Sequence, residues 1–269
     1  MVALRLPQEE IEKVETSLKE SGLKPRKVKN TLWSYEGKGI YFNMYPSGTL
    51  LIQGKDAEGW ASKVLGVIEY PRFPLAGCDE VGKGDIFGPL VLCCAVIPPE
   101  NFKKVLLLNP KDSKLLKDED IMKKAQELRK LVKVKCITLM PERFNELYKK
   151  YRNINRLMDD AYKKLIDEVS REFNPGRIVV DRYSSRNPFQ SYSRVEFIEK
   201  GERDIAVSVA SMLAREKYLT KLKELEKDNN IEIPKGAGSH VREFANQLKR
   251  KNPTLAQRLI KIYEDVTQS

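Results

Sequence analysis

Residues 89–99, PLVLCCAVIPP, form the longest apolar stretch of the chain, closed at both ends by proline. The run suits a strand and is far too short for a bilayer-spanning helix, which needs about 20 residues. Immediately upstream stands CDEVGKGDIFG, with the adjacent carboxylates Asp79 and Glu80 followed by glycines at 82, 84 and 88. These features oppose one another. Acids are expensive beside a core strand, and glycine loops usually serve phosphates, which acids repel. A fold for this chain has to reconcile them.

The net charge is +11 and the pI about 9.3, which points to a polyanionic partner, most simply nucleic acid. The bases cluster: Lys24, Arg26, Lys27 and Lys29 in KPRKVK, then Lys235, Arg242, Lys249, Arg250, Lys251, Arg258 and Lys261 against the single acid Glu243. The N-terminus MVALRLPQEEIEKVE lacks the apolar core of a secretory leader, so a cytoplasmic protein without a membrane partner is expected. Cys78, Cys93, Cys94 and Cys136 form no CxxC pair, and His240 is the only histidine. Zinc is therefore not expected, and the cysteines read as buried, reduced thiols. His240 reads as a polar residue near a helix start.

Two textures divide the chain. In residues 1–65, Ile11, Val14 and Leu18 lie at helical spacing before Gly22, short strand-like pieces follow, and Asp56 starts a second helix. That is a small unit of helices and antiparallel sheet, with 66–72 as a linker around PRFP. Its aromatics, Trp33, Tyr35, Tyr41, Phe42 and Tyr45, are either a stacking platform for bases or packing under the helices. From 73 to 269 the pattern becomes α/β. Strands are expected at FPLAGCDEV, PLVLCCAVI, KVKCITLM, RIVVD and VEFIEK. Helices are expected between them, with a helical C-terminal part that includes 239–251 and 254–266.

The candidate chemistry lies in carboxylates at strand ends. Asp79 and Glu80 close the first strand of the larger unit, Asp181 ends RIVVD, and Glu202 follows VEFIEKG. Acids converging there would repel one another unless a divalent cation neutralised them, and oxygen-only ligation points to Mg²⁺ or Mn²⁺. Each acid also has a bland reading, as a turn residue or a solvated surface group. Neighbours on a strand face opposite ways, so Asp79 and Glu80 share a site only through a backbone bend or a main-chain ligand at Glu80. The loop GKGDIFG matches neither the dinucleotide-binding nor the P-loop pattern. Its glycines around Lys83 would still let a nucleic-acid strand approach the backbone closely.

In order along residues 73–262, CDEVGKGDIFGPLVLCCAVI, NPKDSKLL, NINRLMDDAYKKLI, RIVVDRY and EKGERDIAVSVASMLAREKYL resemble the type 2/type 3 ribonucleases H. GKG and Glu202, where type 2 enzymes usually carry GRG and Asp, favour the type 3 branch, ribonuclease HIII. The resemblance implies a ribonuclease H-like α/β domain with a mixed central sheet flanked by helices. A small α+β domain like the TATA-box-binding protein would precede it and bind substrate. It further implies endonucleolytic hydrolysis of the RNA strand of RNA/DNA hybrids with two divalent ions, leaving 5′-phosphate and 3′-hydroxyl ends. Asp79, Glu80, Asp181 and Glu202 would be the metal-binding, catalytic acids. Gly82, Lys83 and Gly84 would grip the strand near the ribose 2′-hydroxyl, and Ser113 and Lys114 would lie near the substrate groove. Type 2 enzymes read a DNA–RNA junction with a tyrosine near the C-terminal end, where Tyr263 lies unassigned. A monomer is expected. The competing readings are a non-catalytic nucleic-acid-binding protein, or another two-metal nuclease such as a resolvase.

Overall fold

A computed structural model describes residues 1–110 and 116–262. Ser113, Lys114 and Tyr263 therefore lie outside the described residues. The N-terminal part is β1 (Val2–Arg5), α1 (Ile11–Glu20), β2 (Lys24–Pro25), β3 (Trp33–Gly37), β4 (Ile40–Met44), β5 (Thr49–Gly54) and α2 (Ala57–Val67). Its five strands form an antiparallel sheet in the order β1-β5-β4-β3-β2. Ile11, Val14 and Leu18 bury the inner stripe of α1. Asp56 caps α2 by accepting the Gly59 N–H. The aromatics divide between buried and exposed positions. Tyr35 and Phe42 are buried, whereas Tyr41 is exposed beneath the Arg26 guanidinium, 5.0 Å from the ring centre. β1, four residues long, is too short to show a period in the sequence. It is defined by pairing with β5, Leu4 opposite Leu50.

The larger part contains β6 (Leu75–Val81), β7 (Leu90–Ile97), α3 (Phe102–Leu108), α4 (Asp118–Leu131), β8 (Lys133–Leu139), α5 (Pro141–Tyr151), α6 (Ile154–Phe173), β9 (Arg177–Asp181), β10 (Val195–Ile198), α7 (Ile205–Asn229), α8 (Ser239–Lys251) and α9 (Pro253–Leu259). Its mixed sheet has the order β10-β9-β6-β7-β8, with β10, β9 and β6 mutually parallel and β6-β7-β8 antiparallel. All eight residues of β7 are buried, because helices cover both faces of the sheet. One face packs Ala76, Cys78 and Val180 against α6 residues such as Tyr162 and Ile166. On the other, α7 crosses so closely that a Cβ at Gly77 would lie 2.2 Å from the Ala206 carbonyl carbon. The first half of α7 is buried accordingly.

Three expectations need correction. The cysteines are not free thiols: the structure joins Cys78 to Cys94 and Cys93 to Cys136 as disulfides. Strand register is the cause, since each pair is directly opposed on neighbouring strands, with Cα atoms 4.1 and 4.2 Å apart. The helix expected at 254–266 starts at Pro253 and stops at Leu259, because Ile260 bridges to Phe87 and the Lys261 N–H donates to the Ile86 carbonyl. Lys261 is not one of the surface bases. It is 2% exposed.

Candidate active site

β6 continues past its partner β9. Its parallel pairing ends at Cys78 opposite Val180, whereas its ladder with β7 runs on through Asp79, Glu80 and Val81. The strand therefore reaches this point without the expected bend. Asp79 and Glu80 face opposite sides of the sheet, as adjacent strand residues must. Glu80 accepts the Tyr162 hydroxyl of α6 at 2.7 Å, and Asp79 meets Ser211 of α7. Both line one cleft because the pairing with β9 ends here and leaves that edge of β6 open. Asp181, the last residue of β9, stands beside the gap and accepts the Gly201 N–H at 2.8 Å.

Electrostatics couple these acids. Burial holds the Asp79 carboxyl well above the usual carboxylate range, reinforced by the charges of Glu80 and Asp181 and opposed by bonds from Ser211 and the Glu80 N–H. Burial, with Glu80 and Asp79 close by, likewise pushes the Tyr162 phenol well up, so it remains a hydrogen-bond donor. Glu202 stands further out. Its residue lies in a 3₁₀ turn, Gly201–Arg203, and its carbonyl accepts both Arg5 and Ser208, each at 2.7 Å. The structure thus brings Asp79, Glu80 and Asp181 together and links Glu202 to them through the neighbouring Gly201 amide.

The glycine loop forms the wall of a cleft of about 520 Å³, into which Asp79, Glu80, Ser211 and Arg215 also open. Gly82 is required by the fold: its φ is +87°, and a Cβ there would lie 2.2 Å from the Pro89 carbonyl oxygen. Gly84 differs, because a Cβ there would meet nothing within 4 Å. Lys83 reaches the segment just after β9, donating to the Tyr183 carbonyl at 2.7 Å with its ammonium 5.5 Å from that ring. The loop's return is held from the C-terminal side. The Lys261 ammonium donates to the Phe87 and Gly88 carbonyls at 3.0 and 2.7 Å, and Tyr218 donates to Asp85 at 2.5 Å.

Sequence reasoning did not mark Tyr162, Ser211 or Arg215. Arg215 was visible within the LARE motif, but its place in the cleft follows from the α7 crossing. Tyr162 lies within the motif NINRLMDDAYKKLI, but nothing in that motif marks it as the partner of Glu80.

The donor set suits hard divalent cations. Among the described residues no three acid, imidazole or thiol side chains form a ready metal cage. Magnesium-type sites are commonly open in this way, using one or two carboxylates, water and substrate phosphate. The raising of the Asp79 carboxyl by burial and by the nearby Glu80 and Asp181 marks a place where a cation would relieve negative charge.

Comparison with known proteins gives the family. The family model for ribonuclease HII matches residues 76–262. Ribonuclease HIII of Aquifex aeolicus is 44% identical over 262 residues, 97% of this chain and 98% of its own length. The crystal structure of Aquifex aeolicus RNase H3 superposes with a TM-score of 0.63, covering 96% of this chain and 98% of that one. Bst-RNase HIII, solved in complex with Mn²⁺, shares the fold at 23% identity, with a TM-score of 0.66 over 97% of this chain and 94% of that one. The chain belongs to the ribonuclease HII family and, within it, to the ribonuclease HIII group, and it is a ribonuclease H.

Proposed function

We propose that this endonuclease hydrolyses the RNA strand of RNA/DNA hybrids with two divalent ions, Mg²⁺ or Mn²⁺, leaving 5′-phosphate and 3′-hydroxyl ends. The observation that carries the reading is that Asp79 and Glu80 line one cleft with the glycine loop, while Asp181 ends the neighbouring strand β9. Asp79, Glu80 and Asp181 would hold the cations, and Glu202 would complete the set from its turn. Bound there, such ions supply charge neutralisation and Lewis acidity at the scissile phosphate. Tyr162 and Ser211 fix the orientations of Glu80 and Asp79 from opposite faces. Gly82 shapes the loop, and Gly84 leaves open the space that a ribose and its 2′-hydroxyl would enter. Lys83 and Arg215 place positive charge beside the phosphate path. Ser113 and Lys114 keep their expected place near the groove as part of the same proposal.

We assign residues 1–65 to substrate binding and 73–269 to catalysis, in a cytoplasmic monomer; of the expected linker 66–72, the first two residues belong to the last turn of α2, which runs to Val67. No helix among the described residues is long and apolar enough to cross a membrane. Both disulfides lie inside the packed sheet, with Cys78, Cys93 and Cys94 fully buried, which limits access by cellular thiols.

The test incubates end-labelled RNA/DNA hybrid, duplex DNA and duplex RNA with wild type and Asp79→Asn, in Mg²⁺ or Mn²⁺ and then EDTA. Cleavage confined to the hybrid's RNA strand is expected. Asp79→Asn should lower it by about 10²–10³-fold or more, the scale seen when one charge-stabilising group is lost. Cutting of duplex DNA, or activity that survives EDTA, would sink the proposal.

A further inference from the structure

Arg5 ends β1 in the N-terminal sheet, yet its side chain is 4% exposed and reaches the catalytic part. One Nη donates to the Ser47 carbonyl in the turn between β4 and β5. The other donates to the Glu202 carbonyl at 2.7 Å. Residue 201, immediately before it, donates its N–H to Asp181 Oδ1 at 2.8 Å. Two adjacent residues, Gly201 through its N–H and Glu202 through its carbonyl, thus join an N-terminal guanidinium to a carboxylate of the candidate active site.

Packing alone gives no reason for this choice. A buried cation is costly, and apolar residues of similar volume are often as stable or more so. Here the arrangement is not even fully satisfied, because Arg5 Nε is buried without a partner. Burial lowers the Arg5 pKa while the charges of Glu202 and Asp204 oppose that shift, and the bond to the Glu202 carbonyl fixes the guanidinium against this acidic turn. The turn is braced at the same carbonyl by Ser208, and just downstream Arg177 donates to Asp204 at 2.8 Å. Of these bonds, Arg5 alone comes from the N-terminal sheet.

We propose that Arg5 is a positioning residue, through which the N-terminal part sets the 201–202 turn and hence the orientation of Asp181 and Glu202 for cation binding. The proposal rests on the assignment of those acids as cation ligands. It adds that the N-terminal part shapes the active site as well as contributing surface for substrate.

The test compares full-length wild type, Arg5→Met, Arg5→Lys and Asp181→Asn. Three readouts are used: steady-state cleavage of hybrid, Mn²⁺ binding to the free enzyme by electron paramagnetic resonance, and thermal unfolding. Arg5→Met should lower both kcat and Mn²⁺ affinity by about 10-fold, the lower end for loss of a residue that orients metal ligands, with little change in KM. Its unfolding temperature should be unchanged or higher. Arg5→Lys, which keeps a donor, should recover part of both losses. A folded Arg5→Met with unchanged kcat and Mn²⁺ affinity would overturn the proposal and leave Arg5 a purely structural tie. Should Arg5→Met not fold, amide exchange in the wild type decides. Gly201 and Glu202 amides exchanging as slowly as core strand amides support the proposal, and exchange at surface-loop rates overturns it. Asp181→Asn separates the layers. Full activity and full Mn²⁺ binding in that variant refute the site assignment itself, whereas loss in Asp181→Asn without loss in Arg5→Met refutes only the role of Arg5.

Discussion

Two backbone segments frame the candidate active site, and each is held by a buried cation from an opposite end of the chain. The glycine loop is gripped from the C-terminal side by Lys261, whose ammonium donates to the Phe87 and Gly88 carbonyls. The acidic turn is gripped from the N-terminal side by Arg5, through the Glu202 carbonyl. The chemistry of the two cations differs in a way that matters. Burial pushes the Lys261 ammonium down to about 7, only partly opposed by Asp85, so this clamp titrates near neutrality. An arginine starts so high that burial leaves it charged at every working pH. The same device is therefore pH-sensitive on one side of the cleft and insensitive on the other.

The largest effect should come from that difference. Between about pH 7 and 10.5 the unfolded chain carries a proton on Lys261 that the folded chain lacks, so stability should rise with pH across this window and level off below it. The full rise from this group is roughly 4–5 kcal/mol at 1.36 kcal/mol per pH unit. Urea unfolding from pH 6.5 to 9.5 should show the slope in wild type and a flatter profile in Lys261→Met. Identical slopes would show that the C-terminal clamp is no more pH-sensitive than the N-terminal one.

The loop between the clamps offers a sharper contrast. Gly82→Ala forces a side chain against the Pro89 carbonyl at a positive φ, and should destabilise by roughly 3 kcal/mol. Gly84→Ala, in open space, should stay within about 0.5 kcal/mol of wild type while weakening hybrid binding. Denaturation together with fluorescence anisotropy on a labelled hybrid would separate the two. Equal destabilisation would remove the distinction between a glycine the fold needs and one left for substrate.

The smallest effect concerns the N-terminal surface. Lys24, Lys27 and Lys29 are exposed, and Arg26 lies over the exposed Tyr41 ring. Changing all four bases to Gln should leave thermal unfolding nearly unchanged. It should reduce the dependence of hybrid affinity on log salt by up to about 0.7–0.9 for each phosphate no longer neutralised. An unaltered salt slope would confine the N-terminal contribution to the tie through Arg5.

Local features read well from the chain. The apolar run at 90–97 is β7, RIVVD is β9, and Asp79, Glu80 and Asp181 all lie at strand ends, because apolar stretches bounded by turn residues carry their own signal. Elements without an internal period did not. β1 and α3 are short and take their structure from neighbours, as β1 does from β5.

By itself, then, the sequence determined which segments become strands and helices, which acids stand at strand ends, and which family motif they compose. These depend on residue type and short spacing. Tertiary structure alone decided that Cys78 opposes Cys94 and that Lys261 lies beneath the glycine loop. It also decided that Tyr162 and Ser211 orient the two acids from opposite faces, and that Arg5 reaches Glu202 across 197 positions of sequence. Each of these depends on strand register or on how a helix crosses the sheet. Such pairings are fixed by packing the whole molecule at once, so no local pattern records them.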